Sequence, residues 1–179
     1  MMEKLRRRVG DYFLNRKRKS LRRNSVPHAL EAAKSALILC DLDDRNEFEA
    51  GESLLKHLLE IGLDVDLVGF TAKKELAENL IGDEHRHYFT KKDVNYLYQP
   101  SAPTLLRLLR TGHGILFDLN LGDSFPLTFV RAASNAEFKV GLKRKDKIED
   151  LDFMIELTEG DGVHQLIKHI TEYLNIFKK

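Results

Sequence analysis

Residues 35–70 read SALILCDLDDRNEFEAGESLLKHLLEIGLDVDLVGF, and the fold follows from how this stretch changes period. Ser35 to Cys40 is a short apolar run ending at Asp41, which predicts a strand buried on both faces. Phe48, Leu54, Leu55, Leu58, Leu59 and Ile61 then recur at helical spacing, and Gly62 stops the helix. Val65 to Phe70 returns to a continuous apolar strand. Strand, helix and strand with short connections are the βαβ unit of a parallel sheet.

The same alternation continues outward. Thr71 is placed to cap a short helix over Ala72 to Leu80, closed by Gly82, and His87 to Phe89 reads as a weak strand. Thr90 precedes a short polar turn or helix, and Ser101 with Pro103 opens a helix running to Arg110. Gly114 to Leu119 is a strong strand, Ser124 and Pro126 open a helix to Ala133, and Phe138 to Leu142 and Phe153 to Leu157 are further strands. Asp161 is expected to cap a final helix with Val163, Leu166, Ile167, Ile170, Tyr173, Leu174 and Phe177 on one face. Phe70-Thr-Ala-Lys-Lys-Glu75 and Phe89-Thr-Lys-Lys-Asp93 echo one another, too briefly for a repeat protein, so the echo reads as repeated loop chemistry. The expected fold is therefore α/β, a three-layer Rossmann-like, mostly parallel sheet of five or six strands. One domain over residues 28–179 follows a basic amphipathic helical arm over residues 1–27.

The chain has 179 residues, 42% hydrophobic and 32% charged, which suits one well-solvated domain. No run approaches the roughly 18 to 20 apolar residues of a membrane span. The formal charge of +1 conceals a division. Residues 1–23 carry ten basic side chains against Glu3 and Asp11, whereas the remainder carries 19 basic and 26 acidic ones. A basic arm of +8 on a body of −7 points to a polyanionic or anionic-lipid partner. Within the arm, Met2, Leu5, Val9, Tyr12 and Phe13 fall on one helical stripe. Three readings follow: the stripe docks on the domain, the arginines contact RNA or the ribosome, or the helix lies on an anionic membrane. The candidate anion-binding residues are Arg6, Arg7, Arg8, Arg16, Lys17, Arg18, Lys19, Arg22 and Arg23, with Lys143, Arg144 and Lys145 as a secondary group. No secretory apolar region follows the basic stretch, and the lone Cys40 reads as a buried thiol, so a cytoplasmic location is expected.

Ligands of open parallel sheets bind beyond the carboxyl ends of the strands, so chemistry is sought in the strand-to-helix loops. Asp41-Leu-Asp43 after an apolar strand has the spacing of the haloacid-dehalogenase phosphohydrolases, in which the first Asp attacks phosphorus and the second assists beside Mg²⁺. Arg45 and the absence of a later Asp pair depart from that pattern. Asp41, Asp43 and Asp118 are nevertheless the candidate catalytic residues of an alternative function, a Mg²⁺-dependent enzyme acting on a phosphorylated small molecule. Otherwise no cofactor is expected. Neither G-x-G-x-x-G nor G-x-x-x-x-G-K-[ST] occurs, no G-x-S-x-G elbow exists, and His85 with His87 lacks further metal ligands.

From Lys91 onward, Lys91-Lys-Asp-Val-Asn95, Phe117-Asp-Leu119, Pro126-Leu127, Ala136-Glu-Phe-Lys-Val-Gly141 and Asp152-Phe-Met-Ile155 resemble a family of small Bacteroidota proteins, a domain of unknown function. Its members also tend to begin with a basic, helix-like segment. The resemblance implies no catalytic residue. More distantly, Leu105 to Gly141 is similar to the last units of the amino-terminal Rossmann-like half of heptosyltransferases, which implies fold alone. The leading expectation is a non-catalytic or regulatory binding protein whose basic helix contacts RNA or the ribosome.

Overall fold

The computed structural model describes residues 2–20, 25–27, 29–144 and 150–176. Its strands are β1 (Ser35–Asp41), β2 (Asp64–Thr71), β3 (Arg86–Thr90), β4 (Ile115–Asp118), β5 (Phe138–Leu142) and β6 (Phe153–Ile155). They form one sheet in the order β3-β2-β1-β4-β5-β6, and every pairing is parallel. The helices are α1 (Met2–Ser20), α2 (Arg45–Glu60), α3 (Pro103–Leu108), α4 (Phe125–Ala133) and α5 (Val163–Ile176).

Strand order grows leftward from β1 through β2 and rightward from β4 through β5. Right-handed crossovers then place α2 and α4 on opposite faces. Leu54, Leu55 and Leu58 of α2 and Leu166, Ile170 and Leu174 of α5 pack on Ile38, Leu67, Phe117 and Val140. Leu105 of α3 and Leu127 and Val130 of α4 pack on Leu37, Leu39, Val68 and Leu116. Alternate residues of β1 thus feed two cores, which is why its sequence is a continuous apolar run rather than an alternating one. Leu14 of α1 joins the second core at 1% exposure.

The two echoing segments are neighbours: Phe70 pairs with Phe89 and Thr71 with Thr90 across β2 and β3, and the two phenyl rings lie 4.8 Å apart. The expected helix over 72–80 does not form. Asp43 accepts hydrogen bonds from the Thr71 hydroxyl and the Ala72 N–H, both at 2.8 Å, while the Lys73 carbonyl accepts from the Lys91 N–H. Groups that would start a helix are committed to neighbouring loops. Asp161 does not cap α5 either. Its carboxylate closes a turn onto the N–H and hydroxyl of Thr158, and α5 starts at Val163. α3 ends at Leu108, two residues short of the expected Arg110, and β6 ends at Ile155 rather than Leu157.

Candidate functional site

The strand order reverses between β1 and β4, and their carboxyl ends define the crevice where such sheets ordinarily bind ligands. Here the chain fills it with its own anion. Asp44 caps α2 by accepting from the N–H groups of Asn46 and Glu47. Glu47, 2% exposed, accepts from the Asp41 N–H at 3.0 Å and from the Leu121 N–H at 2.8 Å, and so bridges the ends of β1 and β4. Burial raises its pKa to about 7, with Asp41 and Asp44 adding to the rise and the two backbone bonds opposing it. Two carboxylates therefore take the backbone donors that a phosphate would use in a dinucleotide fold. The missing glycine-rich turn and the filled crevice describe the same fact. Asp44-x-x-Glu47 has the spacing of a capping box, the sequence signal by which Glu47 could have been found.

The three candidate catalytic carboxylates are each committed to the chain. Asp41 accepts from the Asp43 N–H, and burial raises its pKa above the usual value. Asp43 holds Thr71 and Ala72, with the Lys73 ammonium 3.5 Å away. Asp118 is buried and meets the Arg131 guanidinium at 2.5 Å. Arg131, 2% exposed, also reaches Asp150 at 3.3 Å, and Arg18 of α1 grips both oxygens of Asp150 at 2.5 Å. Burial disfavours the charge on Arg131, but the two carboxylates outweigh it and raise its pKa. A cation at Asp118 would have to compete with this buried chain. Among the described residues no group of three or more His, Cys, Asp or Glu is arranged to hold a metal. Arg131 was missed in the sequence reading; its signal is its place as the one charge inside the apolar Phe125 to Ala133 helix, where a charge requires a buried partner.

Next to the crevice lies a cleft of about 580 Å³ whose lining includes Arg7, Asp41, Lys91, Tyr98, Asp123 and Ser124. Arg7 is paired with Asp123 at 2.6 Å, so the cleft's charges are partly neutralised within it. The secondary basic group is also engaged: Lys143 pairs with Glu156 at 2.9 Å, and Arg144 donates to the Leu121 carbonyl. Lys145 lies outside the described residues. His85 contacts the Val65 carbonyl, and His87 shares Asp66 with His113, which holds the Asp66 carboxyl at about 2 against the opposing effect of burial.

α1 divides the basic candidates between two faces. Gly10 lies against the Leu97 carbonyl and the Phe125 ring, so close that a Cβ there would approach both to 3.0 Å. Leu14 enters the core one turn later. Flanking them, Arg6 stacks over Tyr98 at 3.8 Å and donates to the Tyr96 carbonyl, Arg7 meets Asp123, and Arg18 meets Asp150. Tyr98 adopts a left-handed backbone, φ 60°, uncommon for an aromatic residue, and its ring sits between Arg6 and Phe125. The helix therefore docks through glycine, leucine and arginines. Val9, Tyr12 and Phe13 of the expected docking stripe remain exposed, Tyr12 at 64%.

At 100° per residue, Arg8, Val9, Tyr12, Arg16 and Lys19 share the face turned away from Gly10 and Leu14, and Phe13 lies at its edge. All six are exposed. Arg8 and Arg16 lie one turn either side of Tyr12, whose ring meets Phe13 edge-to-face at 5.6 Å. The Lys17 side chain, Arg22 and Arg23 lie outside the described residues. No helix of the described residues is long and apolar enough to cross a membrane.

No curated protein and no solved structure matches the chain. One family model does, across residues 6–177, which include most of α1 and the whole sheet. The chain thus belongs to the Family of unknown function (DUF6913).

Proposed function

We propose that this is a cytoplasmic, non-catalytic binding protein that contacts RNA through the outer face of α1. The observation carrying this reading is the division of labour on the helix. Arg6, Arg7 and Arg18 are consumed in docking, whereas Arg8, Arg16 and Lys19 surround exposed Tyr12 and Phe13 without a structural task for the aromatic rings. Cations interleaved with exposed aromatics suit a partner offering both phosphates and bases. An interfacial membrane helix would bury a continuous apolar face, but here Arg8 and Arg16 bracket Tyr12 and would be drawn toward the acyl boundary with it.

The test is a binding isotherm of the full chain with a labelled RNA between 50 and 200 mM salt. Each phosphate contact contributes a slope of about −0.7 to log K against log salt for a single strand, so three cations predict a slope near about −2. A slope near zero, or no binding at the lowest salt, refutes the proposal.

A further inference from the structure

Beside the outer face of α1 runs a groove of about 620 Å³, bounded by Phe13 and Arg16 of α1, Phe129 of α4, and Leu106, Leu109 and Arg110 at the end of α3. We infer that this groove receives an unstacked nucleotide of a single-stranded nucleic acid, which makes the surface selective for single strands over duplex. The inference rests on the reading of α1 as a nucleic-acid surface and specifies its ligand.

The lining, the volume and the position of the groove support it. Among the described residues the groove's lining, completed by Gln99, Pro100, Ala133 and Asn135, contains no carboxylate, although the chain beyond residue 23 is acidic overall. Its basic residues, Arg16 and Arg110, lie beside apolar walls, an arrangement for phosphate at the rim and a base within. Its volume lies in the ordinary range of small-ligand pockets. Phe13 belongs both to the groove and to the exposed aromatic pair with Tyr12, so the helix face and the groove are continuous. A duplex presents phosphates to such a surface but keeps its base faces stacked, whereas a single strand offers both, and aromatic side chains stack on any base. The Gln99 oxygen accepts from Asn95 and the Asn135 amide N–H donates to the Arg110 carbonyl, so a base edge would meet the Gln99 NH₂ and the Asn135 oxygen.

The experiment measures fluorescence anisotropy of the full chain with a labelled twelve-nucleotide uridine RNA and with a duplex of equal length, at 50 and 150 mM salt. The expected result is at least a tenfold preference for the single strand. Phe13→Ala should weaken single-strand binding by roughly five- to fiftyfold while changing duplex binding less than about twofold, whereas Arg110→Ala, which removes a phosphate contact, should weaken both. Both variants are checked by thermal melting, and Tyr12→Ala, at a more exposed aromatic than Phe13, should likewise weaken single-strand binding. Equal affinity for both RNAs, with Phe13→Ala losing both alike, overturns the inference and leaves the RNA reading standing. No binding to either RNA overturns both.

Discussion

Replacing Arg131 by Met should be the most damaging single substitution in the carboxyl-edge network. Arg131 stands between Asp118 at 2.5 Å and Asp150 at 3.3 Å, and the three side chains are only 2–5% exposed. At an effective dielectric near 20, each contact of this kind is worth about 4 kcal/mol of attraction, much of it spent on desolvating the ions. Removing Arg131 leaves that desolvation uncompensated at Asp118, while Asp150 keeps the two bonds from Arg18, so the expected loss is about 3–5 kcal/mol at neutral pH. For a domain of this size that is a fall in melting temperature of roughly 6–20 °C. Urea denaturation followed by circular dichroism reads the loss directly. Arg131→Lys keeps a positive charge but lacks the planar fork that spans two carboxylates, so it should recover only part of the stability. Replacing Arg131 and Asp118 together by Met and Asn should recover most of it, because Asp150 keeps Arg18 and no charge is then stranded. A loss below about 1 kcal/mol for Arg131→Met would refute the view that Asp118 is held by a buried ion chain.

The pH dependence of stability should have two limbs of opposite sign. Glu47 titrates near 7 when folded and near its ordinary value when unfolded, so its contribution is complete below the unfolded value and is lost as pH rises toward 7. The loss is at most about 3 kcal/mol, less once solvent screening at the loop is counted, and Glu47→Gln should flatten it. Asp66 is held at about 2, so its stabilisation is present above the unfolded value and disappears as pH falls toward 2, a limb that Asp66→Asn should remove. Denaturant midpoints measured from pH 3 to 8 check both. Leu14→Ala should cost about 2–4 kcal/mol and raise hydrogen exchange along α1, and unchanged protection there would contradict its docking. Millimolar Mg²⁺ should shift the melting temperature by less than about 1 °C, because a cation at Asp118 must displace Arg131; a shift of several degrees would revive the phosphohydrolase alternative.

Period and punctuation made most of the layered sheet legible. Continuous apolar runs at Ser35 to Cys40 and Val65 to Phe70 marked strands buried on both faces, and the run from Phe48 to Gly62 marked the crossover between them. The failures have a common physical source. Thr71 and Asp161 both looked like helix caps, but cap side chains also close turns, and which outcome wins depends on distant partners such as Asp43 that local spacing does not encode. The site divided in the same way. Charge asymmetry located α1 but left open whether the stripe of Val9, Tyr12 and Phe13 docks on the domain. A helical wheel scores apolar side chains and misses that Gly10 permits the closest approach and that Arg18 finds a buried carboxylate. Glu47 and Arg131 escaped attention because an acidic residue in a first turn and a lone arginine in a helix ordinarily face solvent.

α1 docks with one face, and the other is the face we propose for RNA. Charge reversal on the outer face alone tests it most directly: Arg8→Glu, Arg16→Glu and Lys19→Glu together, leaving Gly10, Leu14 and Arg18 intact. The account predicts an unchanged melting temperature within about 2 °C and loss of at least a hundredfold in RNA affinity at 50 mM salt. Equal RNA affinity in the triple variant and the unaltered chain would contradict it.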